Sequence, residues 1–275
     1  MAPIYQVDLS KDEAEGFGKL GYSLSEVSAQ GIDLDIDPNK LFILHEATHS
    51  TRKYAPLEVA KHRLGMSEPV RKVAANLELD LSDTAKERDG TPYIGNITNE
   101  QGLRIVGSLK GARAWSLRRG MDGLLHLKAG AEGKVKVYDG NKRQMSREEC
   151  GVVYDEMFGK RDSWRGEHLN TWFVPKGKTL YVHSDHVLAS GNLVAQSQEE
   201  LENCLMQDTW ASFNDLTSQG IATKTGNDFY SWFPRANAVA WFRADSGRAF
   251  VDCCRYPRSS GPALGVRYVR EARSA

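Results

Sequence analysis

The sequence predicts an α+β protein, and three observations carry that reading. The chain has 275 residues, 40% of them hydrophobic and 26% charged, the balance of a globular protein with room for a real core. Capping boxes that open helices recur at Ser23 with Glu26, Thr98 with Gln101, Ser146 with Glu149 and Ser197 with Glu200. Residues 230–269 instead read as strand, turn, strand, surface loop and strand, with Gly247 in the turn and Pro257, Ser259, Ser260, Gly261 and Pro262 in the loop.

Taken in order, residues 4–9 read as a strand and Ser23 opens a short helix that Gly31 ends. Residues 32–36 alternate strictly and predict a half-buried strand. Asp37 followed by Pro38 predicts a helix start, with Leu41 and Leu44 on one face and Pro56 as its limit. Helical spacing continues over 56–65 and 69–81. The charged run 82–90 ending in Gly90 is the best boundary: before it lies an N-terminal helix-and-strand segment, 1–90, either a separate domain or an elaboration packed on the main one, and after it the main domain, 91–275. In that domain the spacing predicts a helix from Thr98 to about Leu109 and another over 115–127, although Gly120 and Gly123 weaken it. A strand over 134–138, a turn at 139–141, a helix from Ser146 to Phe158 and strands over 169–174 and 179–183 follow. Helices over 201–206 and 213–219 precede the C-terminal strands.

The sharpest enzyme signal is His45-Glu46-Ala47-Thr48-His49, a literal H-E-x-x-H. On a helix the two imidazoles lie one turn apart and can share a zinc ion, with Glu46 as general base and His62 or Glu68 as third ligand. Against a zinc hydrolase, Arg52 and Ala55 stand where the longer form of the pattern wants Gly and His. The alternative is a surface helix whose His and Glu are solvated. His183 and His186 are spaced so that on a strand they face opposite ways, which reads as a hydrogen-bonding pair rather than a metal site.

Composition excludes other classes. Lys plus Arg equals Asp plus Glu at 36 each, so no global charge draws the chain to nucleic acid. No apolar run is long enough for a membrane span, and no signal peptide is visible. The four cysteines, Cys150, Cys204, Cys253 and Cys254, form no C-x-x-C pair and read as free thiols. Neither a P-loop nor a G-x-S-x-G elbow occurs. No catalytic set, metal or cofactor is assigned.

The stretch from Tyr230 to Val269 is dense in rings and guanidiniums, the side chains that carry most binding energy at recognition surfaces. Its pattern W-F-P-R-x-N-x-V-A-x-F-x-A-x-S-G-x-A-x-x-D-C, closing in L-G-V-R, resembles the variable proteins of diversity-generating retroelements. Supporting stretches are Y-I-G-N-I-T at 93–98, V-Y-D-G-N at 137–141, W-R-G-E-H-L at 164–169 and L-E-N-C-L-M at 201–206. They are similar to the archaeal and candidate-phylum branch, and the resemblance covers residues 92–270. Residues 207–216 depart from it: the family tends to an Asp-rich helix with a Trp, and here Trp210 is shifted forward.

The resemblance implies a C-type-lectin-like domain, related in shape to the formylglycine-generating enzyme fold, without the calcium motif Glu-Pro-Asn. It implies a receptor- or adhesion-type binding protein rather than an enzyme. In the family an error-prone reverse transcriptase copies a template, mutates its adenines and replaces the 3′ end of the gene. Typical target codons never yield Trp, Lys, Gln, Glu or Met, and Lys, Gln, Glu and Met are all missing between Tyr230 and Arg270. The variable region spans about 227–269. Variable ligand-binding positions are Tyr230, Phe233, Arg235, Asn237, Arg243, Asp245, Arg248, Phe250, Cys254, Arg255, Tyr256, Arg258, Ser259 and Ser260, with Trp232 and Trp241 fixed. The scaffold would be Val239, Ala240, Phe242, Ala244, Ser246, Ala249, Asp252, Leu264, Gly265, Val266 and Arg267. The implied partner is a protein or glycan on a cell or virion surface, and oligomeric state stays open. A further rival is an oxidative enzyme of the formylglycine-generating type using Cys253 or Cys254.

Overall fold

The computed structural model describes residues 31–45, 53–160 and 163–272. Its elements run β1 (Leu41–Leu44), β2 (Leu57–Ala60), α1 (Glu68–Asn76), β3 (Asp83–Lys86), β4 (Pro92–Ile94), α2 (Asn99–Gly107), β5 (Ala112–Ala114) and α3 (Leu117–Ala131). There follow β6 (Tyr138–Asp139), α4 (Arg147–Phe158), β7 (Arg165–Lys176), β8 (Thr179–Ser184), β9 (Val187–Ala189), β10 (Asn192–Val194) and β11 (Ser197–Glu200). The C-terminal part holds β12 (Thr209–Ala211), β13 (Phe229–Trp232), β14 (Ala238–Ala244), β15 (Ala249–Arg255), β16 (Leu264–Val266) and β17 (Tyr268–Glu271). The protein is α+β.

Two sheets dominate. The larger runs β11-β8-β7-β14-β15-β13-β12, with β16 added in parallel against β7. The five-stranded sheet runs β5-β17-β2-β1-β6, so the last strand lies between one strand from before residue 90 and one from after it. Two apolar clusters fill the space around the sheets. One joins Phe42, Leu57 and Val59 to Trp115, Leu124 and Phe158 and to Phe229, Phe242 and Val251. The other joins Leu41 and Ala60 to Val70 and Val73 of α1, Leu103 and Val106 of α2, and Trp172, Val239, Trp241 and Val266.

This double burial explains two corrections. Residues 41–44 and 57–60, expected as helix, are neighbouring antiparallel strands. Phe42 and Leu44 face one cluster while Leu41 faces the other. A strand buried on both faces reads as an unbroken apolar run, which periodicity cannot tell from helix. Asp37 does accept the Asn39 amide at 2.9 Å, but it caps only a single 3-10 turn, Pro38–Lys40.

Ser197 also proves misleading. Its hydroxyl bonds Glu199, and residues 197–200 form the polar edge strand β11. The expected helix over 201–206 is absent because its amides are used elsewhere: Leu201 N donates to Leu180 O and Leu205 N to Ala222 O. Residues 213–219 are turns, not helix, held by Thr217 N to Ile221 O at 2.8 Å. In 32–36 only Ile32 makes a bridge, parallel to Leu109, and in 134–138 only Tyr138 enters a strand. The strand at 4–9, the helix after Ser23 and most of H-E-x-x-H lie outside the described residues.

The boxes at Thr98 and Ser146 do open helices, each with both reciprocal bonds formed. The two glycines that weaken α3 have a packing role. A Cβ at Gly120 would stand 2.7 Å from Phe242 Cε2, and one at Gly123 2.7 Å from Trp115 Cζ3. Their absence lets α3 sit directly on the large sheet.

Candidate ligand-binding face

Alternation along the three C-terminal strands sorts their side chains. Phe229, Ala240, Phe242, Ala249, Val251 and Cys253 enter the core. Residues of the opposite parity line up across the sheet: Trp210 opposite Tyr230, Tyr230 opposite Phe250, Phe250 opposite Arg243. A second row pairs Trp232 with Asp252, Asp252 with Trp241 and Trp241 with His168. Side chains alternate between faces with period two, so these residues share one face.

Guanidiniums stack on the rings. Arg248 lies 4.5 Å from the Tyr230 ring and 5.2 Å from that of Phe250, and Arg243 covers Phe250 at 4.6 Å. Arg255 stands 5.7 Å from both Trp232 and Trp241. Phe250 is 2% and Trp241 4% exposed, so these two support the layer above them more than they meet solvent. Tyr230 and Trp232 are half-buried.

The charges divide into paired and unpaired. Arg255 pairs with the fully buried Asp252, which also accepts from the Cys254 amide and thiol. Arg235 reaches Asp208 at 3.4 Å and lies over Phe233. Asp245 accepts the Gly247 and Arg248 amides and so holds the β14–β15 turn. Among the described residues Arg243 and Arg248 have no salt-bridge partner. The indole nitrogens of Trp232 and Trp241 and Nε of Arg243 are buried without a hydrogen-bond partner. Burial, then the nearby charge of Arg255, pulls the Arg243 pKa below its ordinary value.

The remaining positions lie apart from this layer. Asn237 occupies the β13–β14 connection at φ 58°, a conformation that Asn tolerates better than most residues. Tyr256, 78% exposed, with Arg258, Ser259 and Ser260, belongs to the loop after β15, whose Pro257 carbonyl accepts the Asn99 amide at the start of α2. The positions named as scaffold are buried, apart from Ser246 in the turn. Sequence reasoning missed Trp210, which packs edge-on to Tyr230 at 6.0 Å, and Asp208. The alternation Thr209-Trp210-Ala211 is a strand signal too short to stand alone.

The rival sites look different. His45 follows β1 with its ring edge-on to Tyr138, while Glu46 and His49 lie outside the described residues. His62 bonds Asp89 at 2.9 Å, and Glu68 faces Arg71 and Lys72. No group of three metal-ligating side chains occurs among the described residues. His186 Nδ1 bonds Asn170 Oδ1 and its ring stacks 4.1 Å from Trp172; burial drives its pKa down to about 3. Cys253 is sealed in the core and burial raises its thiol pKa, while burial and then Asp252 push Cys254 up to about 12. Burial thus holds both thiols in the neutral form near neutrality. No described helix is long and apolar enough to cross a membrane. Comparison with family models, curated proteins and solved structures gives no match.

Proposed function

We propose that this chain is a non-enzymatic binding protein of receptor or adhesion type. Its fold is C-type-lectin-like, and its C-terminal surface is diversified by retroelement-directed adenine mutagenesis. The observation that carries the reading is the separation of roles along β13 to β15. Along β13 to the start of β15 the variable positions Tyr230, Arg243 and Phe250 share the parity opposite to the core positions Phe229, Phe242, Ala249 and Val251, although Phe250 is itself buried, and most of the ring and Arg positions collect on one face. Rigid strands presenting rings and guanidiniums offer contact area at low entropic cost, which suits a surface that must accept many sequences.

Support also comes from the L-G-V-R strand. Gly265 passes so close to Arg63 and Tyr93 that a Cβ would stand 2.8 and 2.9 Å from them, and Arg267 is buried against Glu167. Such positions tolerate no diversification. The ligand would be a protein or glycan on a cell or virion surface. The test is the DNA beside the gene. A second copy of the 3′ segment, differing from it only opposite adenines, and an adjoining reverse-transcriptase gene are expected. A gene with neither contradicts the reading.

A further inference from the structure

Resting on the reading of this face as a ligand-binding surface, the unpaired charges indicate what it takes. Arg243 and Arg248 flank the Phe250 ring at 4.6 and 5.2 Å, and among the described residues neither forms a salt bridge, although Asp252 and Asp245 lie near enough to Arg243 to act on its charge. Their neighbours add donors without acceptors: the indole N–H groups of Trp232 and Trp241 and the Arg243 Nε–H are all unpartnered. The acidic groups nearby are already engaged, Asp252 by Arg255, Asp208 by Arg235 and Asp245 by backbone amides. A partly desolvated guanidinium with free donors is completed by an anionic acceptor, best as a bidentate carboxylate.

We infer that the partner is a protein segment whose Asp or Glu side chains are taken by Arg243 and Arg248. Two features favour a peptide carboxylate over other anions. Nucleic acid is held by a stripe of unpaired cations, whereas among the described residues this layer holds two, Arg243 and Arg248, with the further unpaired Arg258 apart in the loop after β15, and the chain has no net charge. An acidic glycan would stack on open ring faces, but apart from Trp210 at the edge of the face the rings of this layer, Tyr230, Trp232, Trp241 and Phe250, each lie against a guanidinium.

The experiment is titration of the full chain with poly-L-glutamate, followed by indole fluorescence, and repeated with polygalacturonate and oligothymidylate. Poly-L-glutamate is expected to bind most tightly. Arg243→Gln and Arg248→Gln, each checked for native near-UV dichroism, should weaken it about tenfold or more. Lys72→Gln, which removes an exposed charge on α1, should leave it unchanged. Tighter binding of either other polymer, no binding at all, or an equal loss with Lys72→Gln would overturn the inference. Because Arg248 follows a turn and is half-buried, its variant keeps the test valid if Arg243→Gln does not fold. Failure here leaves the pattern of natural variation untouched, so the acidic anchor and the diversified-surface reading fall separately.

Discussion

Arg267 and Glu167 meet inside the molecule, Nη2 to Oε2 at 3.2 Å, with both side chains 0% exposed. The pair ties the residue between β16 and β17 to β7, and Glu167 also accepts from the Trp115 indole at 2.6 Å. Arg63, Glu87, Glu156 and Arg165 extend the network. Removing one partner strands a buried charge. Arg267→Met alone is therefore expected to cost about 3–5 kcal/mol in urea unfolding. The double variant Arg267→Met with Glu167→Gln should recover much of that loss.

Gly265→Ala tests the close approach directly. The added methyl group would meet Arg63, Tyr93 and the Ile94 carbonyl, the last at 3.1 Å and part of the backbone. A loss of about 1–3 kcal/mol is expected from overpacking. An unchanged denaturation midpoint would mean that β16 shifts freely.

The same network sets a pH dependence. Burial and a hydrogen bond with Glu87 raise the Glu156 carboxyl from 4.5 to about 7. A group whose pKa is raised on folding contributes stability below its unfolded pKa and loses it as pH rises through the folded one. Burial works against ionised Glu87, but Arg63 outweighs it and holds that pKa at about 2, so its contribution is present above 4.5 and lost as pH falls toward 2. Thermal stability should therefore decline between pH 4.5 and about 7 from the Glu156 contribution, and Glu156→Gln should flatten that decline. An equally steep profile in the variant would reject the assignment.

Neighbours of opposite parity should differ in tolerance. Phe242→Ala empties a fully buried site packed against Trp115 and Phe158 and is expected to cost about 3–5 kcal/mol. Arg248→Ser, on the other face beside the turn, should change stability by about 0.5 kcal/mol or less. Equal losses would mean that the ring-and-guanidinium layer is structural framework.

Features resting on neighbours in sequence were legible. The boxes at Thr98 and Ser146 close on residues three positions away, and the C-terminal alternation places Ala240, Phe242, Ala249 and Val251 in the core, while Val239, Trp241 and Phe250 of the other parity are buried as well, the first two by the second apolar cluster. Features set by distant chain were not. Whether residues 41–44 coil or extend depends on Leu57–Ala60 and Tyr138–Asp139 lying alongside, and Ser197 turns to Glu199 because β8 takes the backbone. Trp210 joins the face only through pairing with Tyr230, twenty positions on. The stacking of Arg255 over two indoles likewise needs Trp232, Asp252 and Trp241 in register, which no local pattern encodes.

The most direct test of the central claim is deep sequencing of this gene across one natural population. The account predicts substitutions concentrated at Tyr230, Arg243, Arg248, Arg255 and the other variable positions. Trp232, Trp241, Phe242, Asp252 and the strand Leu264–Val266 should stay constant. Variation spread evenly along the gene, or equal at buried and outward positions of β14 and β15, would contradict a diversified binding face.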